Sequence, residues 1–166
     1  MIVVADSGPL HYLILLGQTE LLPRFYGQVI VPDAVLRELT SRGAPQPVRE
    51  WLSKPPSWLR VQTVPTSQIE LITEDLDLGE REAIVLAHIL RAELLLIDET
   101  LGRAEARRRN LRVTGTLGIL RAAAENELID VPQVLARLRD TNFYVNENLI
   151  RSIFDRWLGE ADRPPR

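Results

Sequence analysis

Four acidic residues sit where apolar runs of this chain stop or where a helix begins. Asp6 ends the run Ile2-Val3-Val4-Ala5, and Asp98 ends Leu94-Leu95-Leu96-Ile97. Glu38 lies on the helix expected after Val29-Ile30-Val31, and Glu80 opens the helix expected before the Asp98 run. In an open, mostly parallel sheet, ligands gather outside the carboxyl ends of the strands, so Asp6 and Asp98 fall on the functional edge and the two Glu can face the same cleft. Carboxylates crowded together raise one another's pKa unless a cation neutralises them. With no Cys in the chain and only His11 and His88 as imidazoles, the donors are oxygens, which suit a hard cation such as Mg²⁺ or Mn²⁺. Such a site can activate water and clamp the oxygens of a phosphodiester undergoing in-line displacement.

Taken singly, each acid also has a plainer reading. Asp6, before Ser7-Gly8-Pro9, fits a turn or a helix cap. Glu38 in Val35-Leu36-Arg37-Glu38-Leu39 fits a solvated helix position. Glu80, after Gly79, fits the first turn of a helix, where the macrodipole favours a carboxylate, and Asp98 fits a cap for the helix that follows. The ordered combination is what points to a shared site.

The elements that must position these acids alternate in type. Val3-Val4-Ala5 is a short β-branched run, as expected of a buried strand. A helix is expected over 7–16, closed by Gly17, and a second over 19–25. The strand 29–31 leads through Pro32-Asp33 into another helix. Residues 41–67 hold five of the eleven Pro and read as a surface excursion with a short helix at Trp51-Leu52 and a strand over 59–64. A helix over 78–91 places Ala83, Ile84, Ala87 and Leu90 on one face, followed by the strand 94–97. Then come a helix over 100–110, a short strand over 111–114, helices over 117–127, 132–139 and 146–158, and a polar tail over 159–166. Strands alternating with helices define the α/β class, and 166 residues fit one domain, 1–166, with a genuine core. No apolar run approaches the roughly 20 residues that cross a bilayer, and the start lacks a signal-peptide pattern, so a cytoplasmic protein with no membrane partner is expected.

In order along the chain stand Val4-Ala5-Asp6-Ser7, Val31-Pro32-Asp33-Ala34-Val35-Leu36-Arg37-Glu38-Leu39, Leu78-Gly79-Glu80-Arg81-Glu82-Ala83-Ile84 and Leu95-Leu96-Ile97-Asp98-Glu99. As an ordered set these resemble the PIN-domain nucleases over about residues 1–130. Asp6-Ser7-Gly8-Pro9-Leu10 together with Gly115-Thr116-Leu117-Gly118-Ile119-Leu120 is more closely similar to a prokaryotic subgroup related to the VapC toxins of toxin–antitoxin pairs. The resemblance implies a Rossmann-like α/β/α sandwich with a central parallel sheet and cleavage of RNA that depends on Mg²⁺ or Mn²⁺. It places Asp6, Glu38, Glu80 and Asp98 at the family's acidic positions, with Asp6, Asp98 and Glu80 as metal ligands. Ser7 takes the small hydroxyl position beside the first acid, and Glu99 is a supporting acid. A cognate antitoxin covering the cleft and a homodimer are further implied partners. Many relatives carry Asp where Glu80 stands, and where distant ones place a further acid this chain has Thr114-Gly115-Thr116, so one firmly held ion is expected.

Charge and composition narrow the rivals. The net charge is −3 with a pI of about 5.5, so any attraction to RNA must be local. Arg103, Arg107, Arg108, Arg109 and Arg112 form the dense basic cluster, with Arg103 and Arg107 the candidates for phosphate contact; the alternative is a solvated face with Glu105 as partner. Phosphoryl-transfer and receiver-like α/β domains need a Lys near their acids, and the lone Lys here, Lys54, lies in a Pro-rich turn. A non-catalytic module that binds RNA or a protein through the same fold is the alternative to the nuclease. Leu135, Leu138, Leu149, Ile153, Phe154 and Trp157 are candidate dimer contacts or ordinary core. Trp51, Trp58, Trp157 and both His read as packing residues.

Overall fold

A computed structural model of the chain describes residues 1–159; the rest of the expected tail over 159–166 lies outside the described residues. The strands are β1 (Val3–Ala5), β2 (Val29–Pro32), β3 (Leu59–Gln62), β4 (Leu94–Leu96) and β5 (Val113–Thr114). The first seven helices are α1 (Ser7–Leu15), α2 (Leu21–Tyr26), α3 (Asp33–Thr40), α4 (Gln46–Ser53), α5 (Thr66–Ile69), α6 (Leu78–Ile89) and α7 (Thr100–Arg108). They are followed by α8 (Thr116–Glu125), α9 (Val131–Arg139) and α10 (Glu147–Phe154), with a 3-10 turn at Asp155–Trp157. The chain divides into two compact units, Met1–Thr116 and a second that begins at Leu117.

The first unit holds the whole sheet, five parallel strands in the order β3-β2-β1-β4-β5, flanked by helices in an α/β/α arrangement. Val4 faces Ile30 across one pair and Leu95 across the next. The two central strands are buried because parallel strands covered by helices carry apolar residues on both faces; Val3, Val4, Ala5, Leu95 and Leu96 are fully enclosed. Burying a Leu, Ile or Val side chain is worth about 1.5–3 kcal/mol, so these short strands anchor the unit. The chain builds outward from β1 through β2 to β3, then crosses back to β4. The order therefore reverses between β1 and β4, which is the switch point where α/β folds bind ligands.

The Pro-rich stretch 41–67 is less of an excursion than its composition suggests. It supplies α4, with Val48 and Leu52 buried, and β3, which pairs with β2 from Val29↔Leu59 to Pro32↔Gln62. Pro is compatible with the sheet here because β3 is an edge strand and Pro55, Pro56 and Pro65 flank it. The short α5, unmarked by any periodicity in four residues, sends Ile69 into a core shared with Val64, Ile72, Leu76 and the apolar face of α6. Strand and helix ends otherwise differ from expectation by a few residues, as fraying and 3-10 geometry at termini dictate.

In the second unit, Leu135, Leu138 and Phe154 are buried, so they cannot serve as dimer contacts as they stand; Leu149 is 45% exposed. Trp157 packs on Phe154 and takes the Arg156 guanidinium over its ring at 4.0 Å. Among the described residues, no helix is long and apolar enough to cross a membrane.

Candidate active site

Each candidate acid reaches the switch point for a local reason. Asp6 directly follows β1, and its backbone N–H donates to the Leu96 carbonyl at 2.8 Å, so sheet pairing fixes its place beside the end of β4. Asp98 follows β4 by one residue past Ile97. Glu38 is carried by α3, which packs on α6. Glu82 ties these two helices together: it is 6% exposed and its Oε2 accepts the Ala34 N–H of α3 at 2.8 Å. Glu80 belongs to a capping box, donating its N–H to Asp77 Oδ1 at 2.8 Å while its Oε2 accepts the Asp77 N–H at 2.9 Å. Two of the orphan donors at the start of α6 are thereby satisfied.

These acids line one pocket of about 400 Å³, together with Ser7, Gly8, Asp75, Leu76, Asp77, Glu99, Thr100 and Leu101. The six sequence candidates Asp6, Ser7, Glu38, Glu80, Asp98 and Glu99 are therefore brought together. The plainer reading of Glu80 is also met, since one of its oxygens caps the helix. Asp77 and Thr116 were not singled out by sequence reasoning. The Asp-x-x-Glu spacing of Asp77 and Glu80 was the available signal for the first.

Thr116 holds Asp98 by two bonds: its N–H reaches Oδ1 at 2.7 Å and its hydroxyl donates to Oδ2 at 2.7 Å. Gly115 makes that approach possible, because a Cβ there would stand 2.5 Å from Asp98 Oδ1 and 2.8 Å from Arg103 Nη1. Gly8 plays the same part on the other side, where a Cβ would be 2.9 Å from Asp98 Oδ2. Asp6 differs sharply: it is 2% exposed, and its Oδ1 is buried with no hydrogen-bond partner among the described residues.

The electrostatics follow from this crowding. Burial pushes the Asp6 carboxyl well above the usual carboxylate range; the Ser7 N–H opposes that, and the charges of Asp77, Glu80 and Glu38 add to it. Burial likewise raises Glu38, with the Ser7 hydroxyl opposing and Asp77 adding. Glu80 is raised by burial, against the Asp77 N–H, with Asp77, Glu99 and Glu38 contributing. Asp98 is raised by burial despite the Thr116 bonds and the nearby Arg103. Burial leads all four shifts, and Asp98 alone of the four has a nearby guanidinium opposing it.

The Arg cluster divides. Arg108 and Arg109 both pair with the buried Glu105, at 2.9 and 2.7 Å, and Arg109 also donates to the Leu71 carbonyl at 3.1 Å, bracing the segment that leads to Asp77. Arg103 donates to the Ile97 carbonyl at 3.0 Å beside Asp98, while Arg107 and Arg112 are exposed. Of the other singled-out residues, Trp51 packs on Trp58 at 5.8 Å, His11 packs on Tyr12 at 4.7 Å, and His88 is exposed.

Among the described residues, no group of three His, Asp or Glu side chains stands in a geometry that could hold a metal ion as placed. The donor chemistry nevertheless fits a hard cation: every pocket acid offers oxygen, and the unpartnered, buried Asp6 Oδ1 is an acceptor that no protein donor satisfies. Asp6, Glu80 and Asp98, the expected metal ligands, line with Glu38 the pocket that would hold it.

A doubly wound parallel sheet with a carboxylate-lined pocket at its switch point defines a class of α/β protein whose chemistry lies in clustered acids. Within that class, a family model described as a PIN domain matches residues 2–158, and the chain belongs to the PIN-domain family, whose members are generally divalent-metal-dependent nucleases. No curated protein matches the chain.

Proposed function

We propose that this protein is a metal-dependent ribonuclease, the toxin of a toxin–antitoxin pair, that hydrolyses RNA phosphodiester bonds in the Asp6–Asp98 pocket. The observation that carries the reading is the buried, unpartnered Asp6 Oδ1 among acids drawn from β1, α3, α6 and the end of β4. Mg²⁺ or Mn²⁺ held there supplies Lewis-acid stabilisation of the charge that develops on the scissile phosphate. The protein's part is to keep that position fixed. Thr116 orients Asp98, the capping box orients Glu80, and Glu82 keeps α3 against α6 so that Glu38 stays within reach. Water would add to phosphorus as the bond to the leaving sugar oxygen breaks, the proton lost by the water passing to solvent and the leaving oxygen taking one from it. Arg103 and Arg107, on the helix that follows Asp98, are the candidates for phosphate contact.

Purified protein incubated with a mixed RNA pool in Mg²⁺, in Mn²⁺ and in EDTA tests the reading, with Asp6→Asn as the contamination control. Cleavage that needs the metal and falls in the variant by more than the about 10–100-fold typical of losing an outer-shell partner supports it. Cleavage that persists in EDTA or in Asp6→Asn rejects it. The alternative is a binding module without turnover, which RNA retained but not cut by metal-loaded protein would select; the pairing of Arg108 and Arg109 with Glu105 leaves Arg103 and Arg107 as the phosphate candidates in either case. The cognate antitoxin and a homodimer belong to the same proposal, with co-purification and sedimentation as their readouts.

A further inference from the structure

We propose that Asp77 is a further carboxylate of the cation site, so that the residue capping α6 also helps to hold the ion. This rests on the metal-dependent reading above and extends it to a residue outside the ordered acidic set. Gly79 leaves room beside these acids. A Cβ built there would lie 3.2 Å from Glu38 Oε2, 3.5 Å from Asp6 Oδ1 and 3.5 Å from Asp77 Oδ1. Three carboxylate oxygens, from α3, the end of β1 and the cap of α6, thus surround one small volume that the missing side chain leaves empty.

Asp6 supplies the independent pointer to a ligand in that volume, because its Oδ1 is buried, faces the Gly79 space and has no partner. Cation–oxygen distances are about 2.0–2.6 Å, so the acids must turn inward to bind. Asp77 can do so. Its cap bond to the Glu80 N–H engages Oδ1, and among the described residues Oδ2 accepts no hydrogen bond. The braced segment before it, fixed by Arg109 at the Leu71 carbonyl and by the buried Leu76, keeps its backbone in register, so that Oδ1 can hold the cap while Oδ2 remains open to the ion.

The test is Mn²⁺ binding to the metal-free full chain, read by calorimetry and by the electron paramagnetic resonance of free Mn²⁺, with Tm in EDTA as the folding control. Asp77→Asn keeps an oxygen for the cap and removes the charge. We expect it to weaken Mn²⁺ binding by about 10–100-fold without lowering Tm. If Asp77→Asn lowers Tm, Asp77→Ser, which also caps a helix, decides: weak binding at wild-type Tm supports the proposal, and wild-type binding overturns it. Wild-type binding in Asp77→Asn alongside loss in Asp6→Asn overturns the role of Asp77 and leaves the metal-dependent reading standing. No Mn²⁺ bound by the wild type overturns both.

Discussion

On the β4 side of the pocket both oxygens of Asp98 are hydrogen-bonded by Thr116, whereas on the α6 side Asp6 Oδ1 is enclosed without a donor. The first wall is complete in the protein alone: glycines at 8 and 115 let the backbone close around Asp98, and its carboxylate has one orientation. Burial pushes the acids of both walls toward protonation, but at Asp98 the Thr116 bonds and Arg103 oppose the shift, whereas at Asp6, Glu38 and Glu80 neighbouring carboxylates add to it. Preorganisation and unmet demand thus coexist in one pocket. A site built this way fixes one ligand in advance and reserves its binding energy for whatever positive charge completes the other side.

The contrast can be broken most directly at Thr116. Thr116→Val keeps the shape and the backbone donor but deletes the hydroxyl bond to Asp98, and we expect Mn²⁺ affinity to fall by about 10–100-fold. Thr116→Ser should restore it, and failure of that rescue would mean that packing rather than the hydroxyl is responsible. A second experiment sharpens the unfinished wall. Because the Asp6 pKa is raised on folding, native protein holds its proton more tightly than unfolded chain. The stability this confers is present below the ordinary carboxylate pKa and is lost as pH rises through the native value. In EDTA, Asp6→Asn should therefore become more stable than wild type as pH climbs, by about 1–3 kcal/mol at neutral pH, the cost of an unsatisfied buried polar group; Tm against pH reads it, and parallel curves would refute it. The smallest effect is expected outside both walls. Arg107→Ala should reduce the salt slope of RNA binding by about one, which filter binding at several salt concentrations would detect.

Much of this was legible in the sequence because the strands are short apolar runs that stop at acids. Asp6 and Asp98 announced themselves by that abrupt change, and Glu38 and Glu80 by helical context. What escaped were contacts set by tertiary closure. Thr116 meets Asp98 across 18 residues of chain, a distance that β5 pairing alone determines. Glu82 carries no signal of its own in the sequence, because its buried role depends on where α3 docks. The strand over 59–64 and the helix at Trp51-Leu52 were legible inside the Pro-rich stretch 41–67, and what the Pro count hid was how far both are built into the unit, as an edge partner of β2 and a buried helix face. Arg108 and Arg109 were legible as partners of Glu105 from spacing alone.

The Glu82 bond to the Ala34 N–H also makes the mouth of the pocket behave as a fixed caliper. With α3 and α6 joined by a buried strut, the gap between Glu38 and Glu80 is set by backbone and tuned by side-chain reach. Exchanging either Glu for Asp would retract one jaw by about 1.5 Å, one carbon–carbon bond, with no compensating slide of the helices. Ion size could then be selected at this site by carboxylate length, one methylene at a time.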